Sequence, residues 1–298
     1  MSFDILTILG PTASGKTSIA SQLARDFDGE IISADSRQVY KCMDIGTGKD
    51  LQEFQKYNIK YHLIDIVTPF EEYNLFRYTK DFQVAYSEIK KYNMLPILVG
   101  GTGLYLSAIL QSYHLPEINK ELSGDLTALT YSQLKQILVQ LKPKLHNVTD
   151  IKEKDRMIQA ILIERSRSKN NSSAIKLSSL NIGITTDRDE LKRRIAERLK
   201  LRLENGMIEE VKNLISKGVT NGKLVYFGLE YKFISQFIDG KLNYNDMSQK
   251  LNSAIQKFAK RQMTWFRKME REGVKINWFT PKDYPAIKDF VKNQLELE

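Results

Sequence analysis

The chain has 298 residues, with 45 Lys/Arg against 36 Asp/Glu for a net charge of +9, and 42% hydrophobic against 27% charged residues. That length fits one large domain with an insertion, or two modest domains, in the composition range of a soluble globular protein. No apolar run reaches the length of a membrane span, the single cysteine (Cys42) rules out an intrachain disulfide or a cysteine zinc site, and no basic-then-apolar leader precedes the first strand, so the cytoplasm is the expected location.

The apolar run 5–9 reads as a buried strand. It leads into Gly10-Pro11-Thr12-Ala13-Ser14-Gly15-Lys16-Thr17, which fits G-x-x-x-x-G-K-[ST], and residues 16–25 have helical spacing. In a strand–loop–helix of this kind, successive backbone N–H groups form an anion cradle at a helix N-terminus. Lys16 would reach the outer phosphates and the Thr17 hydroxyl would ligate Mg²⁺. The loop by itself does not distinguish a triphosphate from a diphosphate ester.

Residues 30–34 and 61–67 read as further strands, 75–92 as a helix, 95–99 as a strand ending in Gly100-Gly101, and 103–110 as another helix. Strands alternating with helices predict a parallel sheet covered on both faces, an α/β fold. Ligands of such sheets lie at the carboxyl ends of the strands. The loop 10–17, the Ala34-Asp35-Ser36-Arg37-Gln38 stretch and Gly100-Gly101-Thr102-Gly103 should therefore meet in one crevice. Asp35 directly follows a strand; it could hold metal through water, act as a general base, or cap a helix.

From residue 112 the alternation stops. Residues 131–165 read as helices and 166–179 as a polar loop, after which 180–185 resumes a strand. The expected division is 1–111 for the first part of the core, 112–180 for a helical insertion and 181–298 for completion of the core. Residues 187–275 carry 20 Lys/Arg against 12 Asp/Glu, which holds nearly all of the excess charge. Such a patch fits a polyanion partner or an ordinary solvated helix surface. After Asp187, Leu191, Ile195, Leu199 and Leu203 recur every fourth residue, with Arg194, Arg198 and Arg202 on the adjoining face. A last helix over 248–271 is expected to turn Leu251, Ile255, Phe258 and Phe266 inward. His62, His114 and His146 show no metal-ligand spacing.

Six stretches in order resemble the signatures of the tRNA dimethylallyltransferases: GPTASGKT, DSRQVYKCMDIGTGKD, GGTGLYLSAIL, RRIAERLKLRLENGMIEEVKNLI, VYFGLEYKFISQFIDGK and AKRQMTWFRK. The resemblance spans about residues 4 to 279. It implies a P-loop parallel-sheet domain like that of nucleoside kinases, with a helical insertion that grips a tRNA anticodon stem-loop. It further implies transfer of the prenyl group of dimethylallyl diphosphate to the exocyclic N6 amine of the adenosine 3′ of the anticodon. The phosphate loop would then cradle a leaving group, with Mg²⁺ on Thr17. By the same resemblance Asp35 takes or holds the amine proton, Thr102 faces the diphosphate and adenine, and Arg194, in preference to Arg198, binds the outer phosphate. Asp35, Ser36, Arg37 and Gln38 match the adenosine-contacting segment. Arg261, Gln262, Trp265 and Arg267 suit an RNA surface, whereas Phe266 reads as core. A monomer is the family's expectation.

Two departures stand out. Where the family usually has MDIGTAKP, this chain has Met43-Asp44-Ile45-Gly46-Thr47-Gly48-Lys49-Asp50, a change expected to alter a turn. Where the insertion usually has QRLSRA, it has Asp155-Arg156-Met157-Ile158-Gln159-Ala160, so among those positions RNA contact carries over at Arg156. The rival functions are a P-loop kinase, a non-catalytic RNA-binding protein holding nucleotide, and a prenyltransferase acting on free adenine nucleotides as in cytokinin synthesis. The kinase leaves the basic region 187–275 and the order of the six stretches unexplained, and the free-nucleotide enzyme would need neither the insertion nor the basic C-terminal helix.

Overall fold

The computed structural model describes residues 3–113, 124–141, 154–167 and 176–295. Its strands are β1 (Ile5–Leu9), β2 (Gly29–Ser33), β3 (Tyr61–His62), β4 (Leu95–Gly100), β5 (Ser179–Ile184) and β6 (Asn277–Phe279). The helices are α1 (Lys16–Asp26), α2 (Leu51–Lys56), α3 (Leu75–Lys91), α4 (Gly103–Leu110), α5 (Gly124–Thr127), α6 (Tyr131–Leu141) and α7 (Lys154–Arg167) in the first part. They continue as α8 (Arg188–Glu204), α9 (Met207–Ser216), α10 (Asn221–Phe227), α11 (Leu229–Ile238), α12 (Tyr244–Arg271) and α13 (Tyr284–Gln294).

The chain divides into two compact units, one made of Met1–Gln111 with Lys176–Glu298 and the other of Ser112–Ile175. In the first, a parallel sheet has the order β3-β2-β4-β1-β5-β6. β4 lies between β2 and β1, which makes the loops after these three strands neighbours at one edge. Side-chain alternation along β1 explains why the strand is apolar throughout: Ile5 and Leu9 enter the core on one face, Leu6 and Ile8 the core on the other. The first face is covered by helices including α3, α4, α8, α11 and α12; the second by α1 and α13, the latter through Ile287 and Val291. In the second unit Leu134 and Leu138 of α6 pack on Met157, Ile161 and Leu162 of α7.

The expected strand 61–67 is only two residues long. Leu63 and Asp65 take left-handed backbone conformations (φ 62° and 58°), which a strand cannot continue through, and pairing resumes only as a single bridge from Val67 to Tyr40. The polar tract begins later than expected, since α7 runs through Ser166, which is buried. The last helix is longer than its apolar stripe, because Asn243 caps it by accepting from the Asp246 N–H at 2.9 Å. β6 and α13 escaped the sequence reading; Trp278 of β6 covers Gly183 of β5, where a Cβ would overlap its ring.

The inward stripe of α12 is corrected at one position. Leu251, Ile255 and Phe266 are buried, but Phe258 is 37% exposed. His62 is structural, its Nε2 lying 2.6 Å from Glu30. His114 and His146 lie outside the described residues. Among the described residues no helix is long and apolar enough to cross a membrane. Phe266 packs at 0% exposure near Trp278 (centroids 6.1 Å apart). Phe266→Ala is therefore expected to lower unfolding free energy by about 3–5 kcal/mol, read by denaturant titration; a loss below about 1 kcal/mol would put this ring outside the core.

Candidate active site

A cavity of about 460 Å³ opens at the carboxyl edge of the sheet, within the size range of small-molecule sites. Its walls come from the loops after β1, β2 and β4, the turn before α2, and the facing sides of α8, α11 and α12. All of the lining belongs to the larger unit.

The phosphate loop is bent by Ala13 and Gly15 (φ 61° and 89°) into the first turn of α1. Thr12, Lys16 and Thr17 line the cavity. Gly10 and Pro11 are buried at the end of β1, and the buried Ser14 hydroxyl has no hydrogen-bond partner. The Lys16 ammonium is 3.4 Å from the Pro11 carbonyl. Burial first, and then the neighbouring Arg198, push its pKa down to about 8.

After β2, Asp35, Ser36, Arg37 and Gln38 all reach the cavity. One carboxylate oxygen of Asp35 accepts from the Arg37 N–H at 2.9 Å, a local turn rather than a helix cap. Thr102 Oγ1 accepts from the Ser36 N–H at 3.2 Å, so the threonine of the β4 loop holds the turn that carries Asp35. Gln38 joins β2 to the next loop: its Oε1 accepts from Ser33 at 2.9 Å and its Nε2 donates to the Gly48 carbonyl at 3.1 Å. The Arg37 guanidinium lies 4.8 Å from the centre of the Tyr226 ring.

α12 closes the opposite wall. Gln262, expected on an RNA surface, is instead buried; its Oε1 accepts from Thr12 N–H at 2.9 Å and its Nε2 donates to the Gly101 carbonyl at 2.8 Å. Both ends of the amide are thus committed to joining the phosphate loop to the β4 loop. Trp265 lies on Gly103, where a Cβ would overlap the indole, and its Nε1 donates to Ser107 at 2.8 Å. Trp265, Arg261 and Phe258 line the cavity, with Arg261 5.7 Å from the Phe258 ring centre. Arg267 is exposed on α12 outside the lining. The Arg156 side chain lies outside the described residues.

α8 brings in arginines, though not in the expected emphasis. Arg194 pairs with Glu190 at 2.7 Å and lies outside the lining, close to Gly15. Arg198 and Arg202 both line the cavity; Arg198 meets Asp50 at 2.6 Å and Arg202 lies 3.8 Å from Glu230. Arg202 had its signal in the Arg194–Arg198–Arg202 spacing. Asp50 and Glu230 had none, because only the packing of α8 and α11 brings those acids to the cations.

The turn before α2 is itself held by charge. Glu210 of α9 accepts from three consecutive N–H groups, those of Asp44 and Ile45 at 2.7 Å and of Gly46 at 3.0 Å, and from the Tyr231 hydroxyl at 2.8 Å. Beneath it, the buried Lys49 ammonium pairs with Asp44 and Asp65 and donates to the Tyr40 carbonyl at 2.9 Å.

Fold and cavity together define an α/β protein of P-loop-like fold in which the loop 10–17, Asp35 and an aromatic rim line one cavity. Matches to known proteins narrow the class. The profile of the family described as IPP transferase matches residues 38–269, and that described as Isopentenyl transferase matches residues 3–65. The chain is 49% identical over 281 residues to "tRNA dimethylallyltransferase 1" of Geotalea daltonii, covering 93% of this chain and 91% of that protein. It is 45% identical to the protein of the same name from Syntrophus aciditrophicus, covering 98% of each. A crystal structure of tRNA isopentenylpyrophosphate transferase from Bacillus halodurans superposes with a TM-score of 0.72 at 31% identity, over 98% of this chain and 96% of that one. The chain belongs to the IPP transferase family.

The depressed Lys16 value has a direct consequence. The protonated ammonium attracts phosphate and the neutral amine does not, so the share of diphosphate affinity that Lys16 supplies should be present below about pH 8 and be lost as pH rises through that value. Between the folded value of about 8 and the ordinary 10.5 the unfolded chain holds the extra proton, so this residue's contribution to stability rises with pH across that window. Calorimetric titration with diphosphate from pH 6.5 to 9.5 measures the first effect; a Lys16→Met protein with the same pH profile would remove the ammonium from the anion site.

Proposed function

We propose that this enzyme is a prenyltransferase that moves the dimethylallyl group of dimethylallyl diphosphate to N6 of the adenosine 3′ of the anticodon in tRNA. The observation that carries the reading is the convergence, in one cavity, of the phosphate loop, Asp35 with its Thr102 support, the Arg198–Arg202 pair and an aromatic rim. The reaction breaks the C1–O bond of the donor and forms a C1–N6 bond. Diphosphate leaves and the amine gives up one proton.

Each part of the cavity has a task in that exchange. Backbone N–H groups of the loop and the Lys16 ammonium stabilise charge as it grows on the leaving group. Asp35 has one carboxylate oxygen fixed by the Arg37 N–H and the other available to hold the N6–H and take its proton. The target base has to leave its stack, which costs a few kcal/mol; Trp265, Phe258 and the Arg261 plane offer faces on which splayed bases can lie. A monomer is the proposed state, on the family resemblance alone. The helical unit Ser112–Ile175 is proposed to hold the anticodon stem-loop.

Magnesium fits this site as a guest of the substrate. Among the described residues no group of three or more His, Cys, Asp or Glu could hold a metal, and Mg²⁺ is commonly held by one or two protein oxygens together with phosphates and water. Thr17 supplies one such oxygen at the cavity wall. When bound, the ion would neutralise negative charge on the diphosphate.

Incubation with Mg²⁺ and labelled dimethylallyl diphosphate should label unmodified tRNA and leave AMP unlabelled. Label on AMP alone would assign a free-nucleotide prenyltransferase, and turnover of ATP without prenyl transfer a kinase. In the same assay Asp35→Ala should reduce transfer at least 100-fold, the scale of general base catalysis, with diphosphate affinity retained; equal rates would remove Asp35 from the mechanism. Binding of an anticodon stem-loop should weaken with salt. About five phosphate contacts give a slope of log K against log salt near −3.5, and a flat response would mean that the basic helices do not face RNA.

A further inference from the structure

Gly48 holds φ at +62°, and a Cβ built on it would overlap the Arg202 guanidinium and lie 2.7 Å from Nη2 of Arg198. The alanine usual in the family at this place is therefore incompatible with Arg202 where it stands. The departure at residue 48, expected to alter only a turn, instead makes room for a second arginine. Arg202 lies one helical turn beyond Arg198 on α8 and lines the same cavity as Lys16. Its side chain is 14% exposed, and its acid partner Glu230 is 3.8 Å away, too far for a hydrogen bond. The other change in the same stretch touches the same pair: Asp50, where the family stretch ends in proline, holds Arg198 at 2.6 Å.

Lys16, Arg198 and Arg202 thus form three cations around one cavity, at mutual electrostatic cost. Burial and then Arg198 push the Arg202 pKa down to about 10, and Arg202 contributes to the lowering at Lys16. A diphosphate removes that repulsion, and a planar guanidinium can offer paired N–H groups to phosphate oxygens.

We propose that Arg202, admitted to the cavity by Gly48, is a third diphosphate-binding cation beside Lys16 and Arg198, and that Asp50 and Glu230 hold the two guanidiniums in place before the donor arrives. The inference rests on reading the cavity as a prenyl diphosphate site, and it deepens that reading.

The test is calorimetric titration of wild type, Arg202→Met, Arg202→Lys, Gly48→Ala and the Gly48→Ala/Arg202→Met double variant with inorganic diphosphate, beside the prenyl transfer assay and thermal melts. Arg202→Met should lose at least tenfold in diphosphate affinity and raise KM for the donor by a similar factor, with stem-loop affinity unchanged. Its alkaline limb of diphosphate affinity should move to higher pH, because Lys16 has lost a like-charged neighbour. Arg202→Lys should recover part of the affinity. Gly48→Ala should weaken diphosphate binding as Arg202→Met does, and the double variant should lose little beyond the weaker single one. Unchanged diphosphate affinity and an unmoved pH limb in folded Arg202→Met would overturn the role of Arg202; fully additive losses would overturn the pairing with Gly48. A wild type that binds diphosphate yet prenylates no tRNA would refute the reaction while the variant comparison still decides what Arg202 does. A wild type that binds no diphosphate would refute both.

Discussion

The cavity depends on one buried amide. Gln262, on the long helix α12, accepts from the Thr12 N–H and donates to the Gly101 carbonyl, so it clamps the loops that follow β1 and β4 against each other. Those loops carry Lys16 and Thr102, and Thr102 in turn holds the turn carrying Asp35. A side chain from far along the chain thereby ties together the three loops that line the cavity. Its amide bonds are sheltered from water, where each unmet partner would cost about 1–3 kcal/mol. The clamp therefore resists the slackening that a surface contact would allow.

The opposite wall is organised by charge. Glu210 satisfies three consecutive backbone donors of the Asp44–Gly46 turn, and Lys49 anchors the same turn from below through Asp44 and Asp65. A carboxylate cradled by N–H groups and a buried ammonium with acid partners are strong, directional restraints. They fix Gly48 and Asp50 in front of α8, where the arginines need them. The cavity thus combines a wall whose charges are fully paired with a set of cations whose pairing is incomplete.

Much of this could be read from residue order. The phosphate loop, Asp35 and Gly101-Thr102 each follow a strand, and a parallel sheet brings strand ends together. Local periodicity was a weaker guide wherever tertiary contacts compete with it. Phe258 carries the apolar spacing of α12 yet lines the cavity and is 37% exposed. Gln262 resembles a surface residue beside Arg261, yet it is the most deeply committed polar side chain of the helix. The strand expected over 61–67 ends after His62, since the backbone of Leu63 turns left-handed.

From the sequence alone came the sheet class, the G-x-x-x-x-G-K-T loop, the carboxylate that shares its cavity and the family resemblance, all of which are encoded in contiguous stretches whose chemistry is local. Only the tertiary structure decided which arginines enter the cavity, which amide clamps its loops, and why residue 48 is glycine. Those answers depend on which face of a helix meets which loop, and that is set by packing between segments up to about 250 residues apart, a relation that no local pattern records.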